Sequence, residues 1–159
     1  MVSWSEFTAV EPELAGRVRA VFDRSKHKTM ATLRKDGSPR ISGTEADFKD
    51  GELWLGSMPD ARKANDLLRD PRVAIHGPTT EPDEAGSMEP DAKIAGKAIE
   101  VTDPEILAKF GEGAPPGPFH LFRVDVTEVA VTGVDGDPPD HLVIDFWTAD
   151  GGRQTVKRQ

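Results

Sequence analysis

The sequence predicts a small, mostly antiparallel β-barrel capped by short helices, and three observations carry that expectation. Segments rich in strand formers recur along the chain, and Asp-Gly turn signals join the early ones into local hairpins. Helical periodicity is confined to brief stretches. Gly 15 and Pro 13 are spread along the chain, as in a protein of many turns. Roughly seven or eight strands and two or three short helices result.

The 159 residues suit one domain, 1–159, with enough chain for a real core. A net charge of -8 and a pI near 5.0 argue against a nucleic-acid partner, which needs a basic footprint. The absence of cysteine excludes disulfides, thiolate metal sites and cysteine nucleophiles. No apolar run of about 18 residues is present, so no membrane span is expected. The opening MVSWSEFTAV lacks the basic start and apolar core of a secretory signal, and a cytoplasmic protein is expected.

Residues 11–24 (EPELAGRVRAVFDR) read as a helix: Pro12 suits the first turn, and Leu14, Val18, Val21 and Phe22 share one face. Residues 28–34 and 40–48 are strands joined by the turn signal Asp36-Gly37, and Asp50-Gly51 leads to a third strand, 52–56. These three make an antiparallel meander. Gly43, inside the second strand, marks either a bulge or a point of close ligand approach.

The stretch 52–72 (ELWLGSMPDARKANDLLRDPR) holds the most suggestive chemistry. Ser57 and Asp60 have capping-box spacing, Pro59 suits a first helical turn, and Ala61, Ala64, Leu67 and Leu68 make an apolar face. Asp70-Pro71 ends the helix. Arg62 and Lys63 then lie about one turn inside it. A helix start already favours an anion, and two cations with the Ser57 hydroxyl could close over a phosphate. The bland alternative is a solvated helix face.

Beyond this, 72–76 is a strand and 77–91 (GPTTEPDEAGSMEPD) is an acidic loop, read as a lid, a binding loop or a mobile segment. Residues 92–101 form a strand, and Asp103 caps a short helix, PEILAKF. Residues 111–118 (GEGAPPGP) are irregular, 119–134 is a long or bent strand, and DGDPPD turns into 141–148. Asp150-Gly151-Gly152 makes the last hairpin, into 153–158.

Other chemistries find little support. His27, His76, His120 and His141 lack metal-ligand spacing, so no metal site is expected. There is no nucleophile elbow and no phosphate loop of the G-x-x-x-x-G-K-[ST] kind. Trp54 and Trp147 read as core residues. With no self-sufficient catalytic constellation, redox chemistry would have to come from a bound cofactor.

The runs MATLRKDGSPRIS, GELWLGSMPDARKANDLLRDPRVAIH and KIAGKAIEV, within about residues 28–101, resemble the pyridoxamine 5'-phosphate oxidase-like flavin-binding split-barrel family. That family includes the deazaflavin (F420)-dependent reductases. The resemblance implies an antiparallel split β-barrel of the FMN-binding type and a homodimer with the cofactor at the subunit interface. It places Arg62 and Lys63 on the cofactor phosphate, Ser57 in the turn beside it, and Ser42, Gly43 and Thr44 along the isoalloxazine or ribityl group.

Departures from the family pattern narrow the expectation. The Arg-x-His substrate motif of the authentic oxidase is missing from the tail FWTADGGRQTVKRQ, Asp91 stands where the oxidase has a flavin-contacting glutamine, and Ser-Gly-Thr replaces a longer apolar segment. The expected function is a flavin-dependent oxidoreductase, a reductase of an unknown small molecule rather than a true pyridoxamine phosphate oxidase. FMN is the expected cofactor and F420 the alternative. A non-catalytic flavin-binding module is the second class of function the resemblance allows.

Overall fold

The computed structural model describes residues 1–113 and 116–159. The meander expected from the two Asp-Gly signals is present: β1 (His27–Leu33), β2 (Pro39–Lys49) and β3 (Glu52–Ser57) pair antiparallel in sequence. At the β2–β3 turn both Asp50 (φ 52°) and Gly51 (φ 79°) are left-handed, the geometry a tight hairpin requires. β1 then pairs with β4 (Arg72–His76), which pairs with β5 (Asp91–Glu100), and β5 with β6 (His120–Gly136).

β6 closes the barrel. Its first residues, His120 to Arg123, pair with β3, whereas Glu128 to Gly136 pair with β7 (Pro139–Thr148). One long strand thus begins in a closed six-stranded barrel and leaves it to carry a second hairpin, β7 with β8 (Gly152–Arg158). The fold is a mostly antiparallel split barrel, as expected. The turn between β6 and β7 is tighter than the DGDPPD signal suggested, because the strands run on to Gly136 and start again at Pro139.

Within β5, Gly96 sits where the β5–β6 register shifts, and a Cβ there would overlap the carbonyl oxygen of Asp125. Only glycine lets the two backbones approach so closely.

Among the described residues, four helices cover the barrel: α1 (Trp4–Val10), α2 (Pro12–Phe22), α3 (Arg62–Arg69) and α4 (Pro104–Gly111). α1 is additional to the expected elements, although Ser3 and Glu6 carry its signal. The Ser3 hydroxyl accepts from the Glu6 N–H, and the Glu6 carboxylate accepts from the Ser3 N–H at 2.7 Å. Leu14, Val18 and Phe22 of α2 are fully buried, as their spacing predicts. Each such side chain contributes roughly 2 kcal/mol by leaving water. Trp4 packs on Phe7 and Phe48, and Phe7 on Trp147, joining α1 to β2 and β7, while Phe22 of α2 meets Phe48 edge-on.

The β7–β8 hairpin is also pinned by charge. The Asp145 carboxylate accepts from Arg17 of α2 at 2.7 Å and from Arg153 of β8 at 2.6 Å. Hydrogen bonds from Arg153 are the chief reason its carboxyl lies below its ordinary range, with burial opposing and Arg17 reinforcing the shift.

Three expectations around α3 are corrected. The helix starts at Arg62, not at Ser57, so Ser57 is no N-cap and Pro59 is not in a first turn. Ser57 remains in the sheet, paired with His120, and Asp60 takes a left-handed φ of 58° before the helix begins. Leu68 is 48% exposed, and Asp66 is buried in the apolar face instead.

The 77–91 expectation holds as far as Pro90, with Asp91 already in β5. The Asp83 carboxylate accepts from the Ala85 and Ser87 N–H groups, and Arg24 holds Glu89 and the Pro90 carbonyl. In the stretch expected to be irregular, Gly111 ends α4, and Ala114 and Pro115 lie outside the described residues.

Candidate functional site

Strand alternation divides β2 between two environments. Thr44, Ala46 and Phe48 turn inward, whereas Ile41, Gly43, Glu45 and Asp47 face outward. The outward face of β2 and β3 is not bare. α4 leans over it, with Phe110 packed on Trp54 at 4.8 Å between ring centroids. Lys49 secures the contact, its Nζ 4.6 Å from the Phe110 ring and donating to the Lys109 carbonyl at 3.0 Å.

Between this roof and the sheet lies a crevice of about 880 Å³. That volume falls in the usual range for a cofactor or small-molecule site, roughly 300–1,000 Å³. Gly43 and Gly56 contribute floor to it, and a Cβ at either would meet nothing within 4 Å. Trp54, Phe110, Phe119 and Leu121 supply apolar walls. The floor is therefore open backbone and much of the wall is apolar, with His27, Glu45 and Asp47 also in the lining.

One end of the crevice is polar. Lys63 reaches it from α3, and Ser57, Met58 and Pro59 reach it from the end of β3. Lys63 Nζ donates to the Gly43 carbonyl at 2.9 Å. Partial burial lowers the pKa of its ammonium, an effect Glu45 opposes. The α3 N-terminus has no side-chain cap and no acidic residue in its first turn. α1 and α4, by contrast, are capped by Ser3 and Asp103. Among the described residues, the Ser57 hydroxyl makes one long contact, 3.5 Å to the Met58 carbonyl. An uncapped helix start leaves N–H groups free and carries a partial positive charge.

The residues singled out in the sequence are distributed as follows. Gly43, Thr44, Ser57 and Lys63 line the crevice together. Ser42 is half-buried on the other side of β2 from Gly43. Arg62 lines a neighbouring groove with residues of the β1–β2 turn. At Gly43 the β1–β2 register runs without interruption, Thr29 opposite Gly43 and Met30 opposite Ser42, so there is no bulge there.

Several lining residues escaped sequence reasoning. Phe110 and Phe119 come from a region more than 50 positions beyond Trp54, and no periodicity links them. Trp54 is buried as expected, at 8% exposure, but outside the barrel core and in the crevice wall. The 77–91 loop contributes nothing to this crevice among the described residues. Nor do the described residues hold a group of three or more potential metal ligands, or a helix long and apolar enough to cross a membrane.

Residues 14–133 match the model of the pyridoxamine 5'-phosphate oxidase family. The chain belongs to this family. No curated protein matches it significantly in sequence. Several solved structures share the pyridoxamine 5'-phosphate oxidase-like fold. PhzG from Burkholderia lata, solved with tetrahydrophenazine-1-carboxylic acid, is 15% identical with a TM-score of 0.62, over 97% of this chain and 92% of that one. A heme-binding protein from Mycobacterium smegmatis is 15% identical with a TM-score of 0.59, over 92% and 88%. A FAD-binding protein from Mesorhizobium loti is 20% identical with a TM-score of 0.53, over 74% and 92%. At these identities the neighbours establish the split-barrel fold, and a flavin-binding relative stands among them.

Proposed function

We propose that the protein is a flavin-dependent oxidoreductase of the pyridoxamine 5'-phosphate oxidase-like family, with FMN bound in the crevice between β2–β3 and α4. The observation that carries this reading is the uncapped α3 N-terminus, which opens beside Lys63 and Ser57 onto a crevice floored by Gly43 and Gly56. The phosphate belongs at that end, held by the free N–H groups, the Lys63 ammonium and the Ser57 hydroxyl. Arg62 adds positive field from the adjoining groove. Glu45 and Asp47 also line the crevice, and the Glu45 charge acts on Lys63.

A bound flavin supplies the hydride and electron chemistry; the chain supplies anchoring, backbone contacts along Gly43 and Thr44, and walls that exclude water. Ser42 acts indirectly, from the inner side of the strand that carries those contacts. The missing Arg-x-His motif in the tail supports a reductase of another small molecule over pyridoxamine phosphate oxidation.

We further propose a homodimer with the cofactor at the interface. Ile41 and Met58 are each 75% exposed, Met58 on the crevice rim and Ile41 on the same outward face of β2 as Gly43. Large apolar side chains left open beside a binding crevice fit coverage by a second copy.

Two measurements test the activity. Apo-protein is titrated with FMN and with F420 under matched salt, and the flavin-loaded protein is then mixed anaerobically with NAD(P)H or reduced F420. Tight FMN binding followed by ring reduction is the expected result. Tight F420 binding with weak FMN binding reassigns the cofactor. Bound flavin that no donor reduces and no substrate reoxidises assigns a non-catalytic flavin carrier.

A further inference from the structure

The crevice has a second end. Along β2, Gly43 and Asp47 share the outward face, about 13 Å apart at the usual rise of a strand. Gly43 marks the end held by Lys63, whereas Asp47 is paired with Trp54 across the β2–β3 ladder, where α4 leans over the sheet. Trp54 carries Phe110 on its ring at 4.8 Å, and Phe119 and Leu121 add further apolar wall.

Among the described residues, the Asp47 carboxylate has no hydrogen-bond partner and no basic group within 4.0 Å. The cations that border the crevice are engaged elsewhere. Lys49, next on the same face of β2, holds its Nζ 4.6 Å from the Phe110 ring and donates to the Lys109 carbonyl. Arg123, on the far side of Trp54 in the ladder, donates to Asp125 at 3.0 Å. Lys26 sits 3.4 Å from Glu45, and Lys63 donates to the Gly43 carbonyl.

An uncompensated carboxylate beside an indole and a phenyl ring suits an organic cation. The carboxylate accepts a charged hydrogen bond, and the ring faces attract positive charge. Lys49 over Phe110 shows one of these rings already holding a cation. An anionic substrate would meet the same carboxylate with nothing to offset it, which selects against it.

We propose that the small molecule sharing this crevice with the flavin is a ring-bearing organic ammonium ion, its charge on Asp47 and its ring against Trp54 and Phe110. The proposal rests on the flavin reading for the occupant of the Lys63 end, but the preference for positive charge belongs to the chain itself. It names a substrate opposite in charge to a phosphate ester, in keeping with a tail that lacks the Arg-x-His motif.

Tryptamine, tryptophol and indole-3-propionate share one ring and one chain length, and end in a positive, a neutral and a negative group. Each is titrated calorimetrically at low ionic strength into the FMN-loaded protein and into the FMN-free protein. Tryptamine should bind at least tenfold more tightly than tryptophol, and indole-3-propionate should bind most weakly. Asp47→Asn should bring tryptamine to the affinity of tryptophol, with Tm unchanged. Asp50→Asn removes an acidic charge from the neighbouring turn, outside the crevice, and should retain the preference. Equal affinity for the three probes, binding of none, or the full preference in Asp47→Asn would overturn the proposal. Should FMN fail to load, the flavin reading falls, and the charge preference of the FMN-free protein still decides the cation site.

Discussion

Lys63 Nζ donates to the carbonyl oxygen of Gly43 across 2.9 Å, joining the first turn of α3 to the middle of β2. The bond holds a partly buried ammonium at the polar end of the crevice and fixes the strand segment that forms its floor. Charge and open backbone are thereby set side by side. Each half of that relationship can be removed without dismantling the barrel.

Gly43 lies in an unbroken strand, and a Cβ added there would meet nothing within 4 Å, so Gly43→Val is expected to fold. Valine suits a strand. Its methyl groups project into the crevice, and FMN affinity should fall by about tenfold or more with Tm unchanged or slightly raised. Unchanged affinity would place the flavin elsewhere.

Asp66 is expected to govern acid stability. Burial pushes its carboxyl up, but hydrogen bonds from Arg40, Arg69 and Thr32 together outweigh that, and the pKa is lowered to about 2. A depressed folded-state value means the stabilisation is complete above the unfolded value near 4 and is lost as pH falls through about 2. The contribution is about 2 kcal/mol. Asp66→Asn should therefore flatten the pH dependence of unfolding between about pH 4 and pH 2, and should cost about 3 kcal/mol at neutral pH because two arginines lose their partner. Urea melts at several pH values check both statements.

Gly96→Ala should be among the most damaging single-methyl changes, because the new Cβ would overlap backbone at Asp125 rather than a movable side chain. A loss of about 3 kcal/mol or more is expected. Gly16→Ala provides the contrast. In α2 it meets nothing within 4 Å and should stabilise by about 0.5–1 kcal/mol. Thermal melts of the two variants should move in opposite directions.

Met58→Glu is expected to leave the fold intact, since the side chain is 75% exposed, and to shift the proposed dimer to monomer. Light scattering at micromolar concentration reads this directly. A wild-type monomer would remove the proposed interface.

Much of the barrel is legible in the sequence because it rests on local signals. Asp36-Gly37 and Asp50-Gly51 specify hairpins between neighbours, and the 3.6 period of Leu14, Val18 and Phe22 specifies a buried helix face. The start of α3 is not legible, because its boundary is set by a distant strand. Ser57 is held extended by pairing with His120, far along the chain, so its capping-box spacing with Asp60 goes unused. Leu68 reads as part of the α3 apolar face because a buried aspartate is improbable from sequence alone; Arg40 and Arg69 offset the cost of burying Asp66 there. Gly43, Thr44, Ser57 and Lys63 are named together by the family resemblance and line one crevice, whereas the roof formed by Phe110 and Phe119 depends on the chain returning after β5.

The measurement closest to the central claim is fluorescence titration of FMN into wild-type apo-protein and into Lys63→Ala. Saturable binding by the wild type, weakened roughly 10- to 100-fold in the variant, is expected for the loss of one charged hydrogen bond to a phosphate. Circular dichroism should show the same barrel in both. Equal FMN affinity in the two proteins would contradict the assignment of the crevice as the phosphate-anchored flavin site.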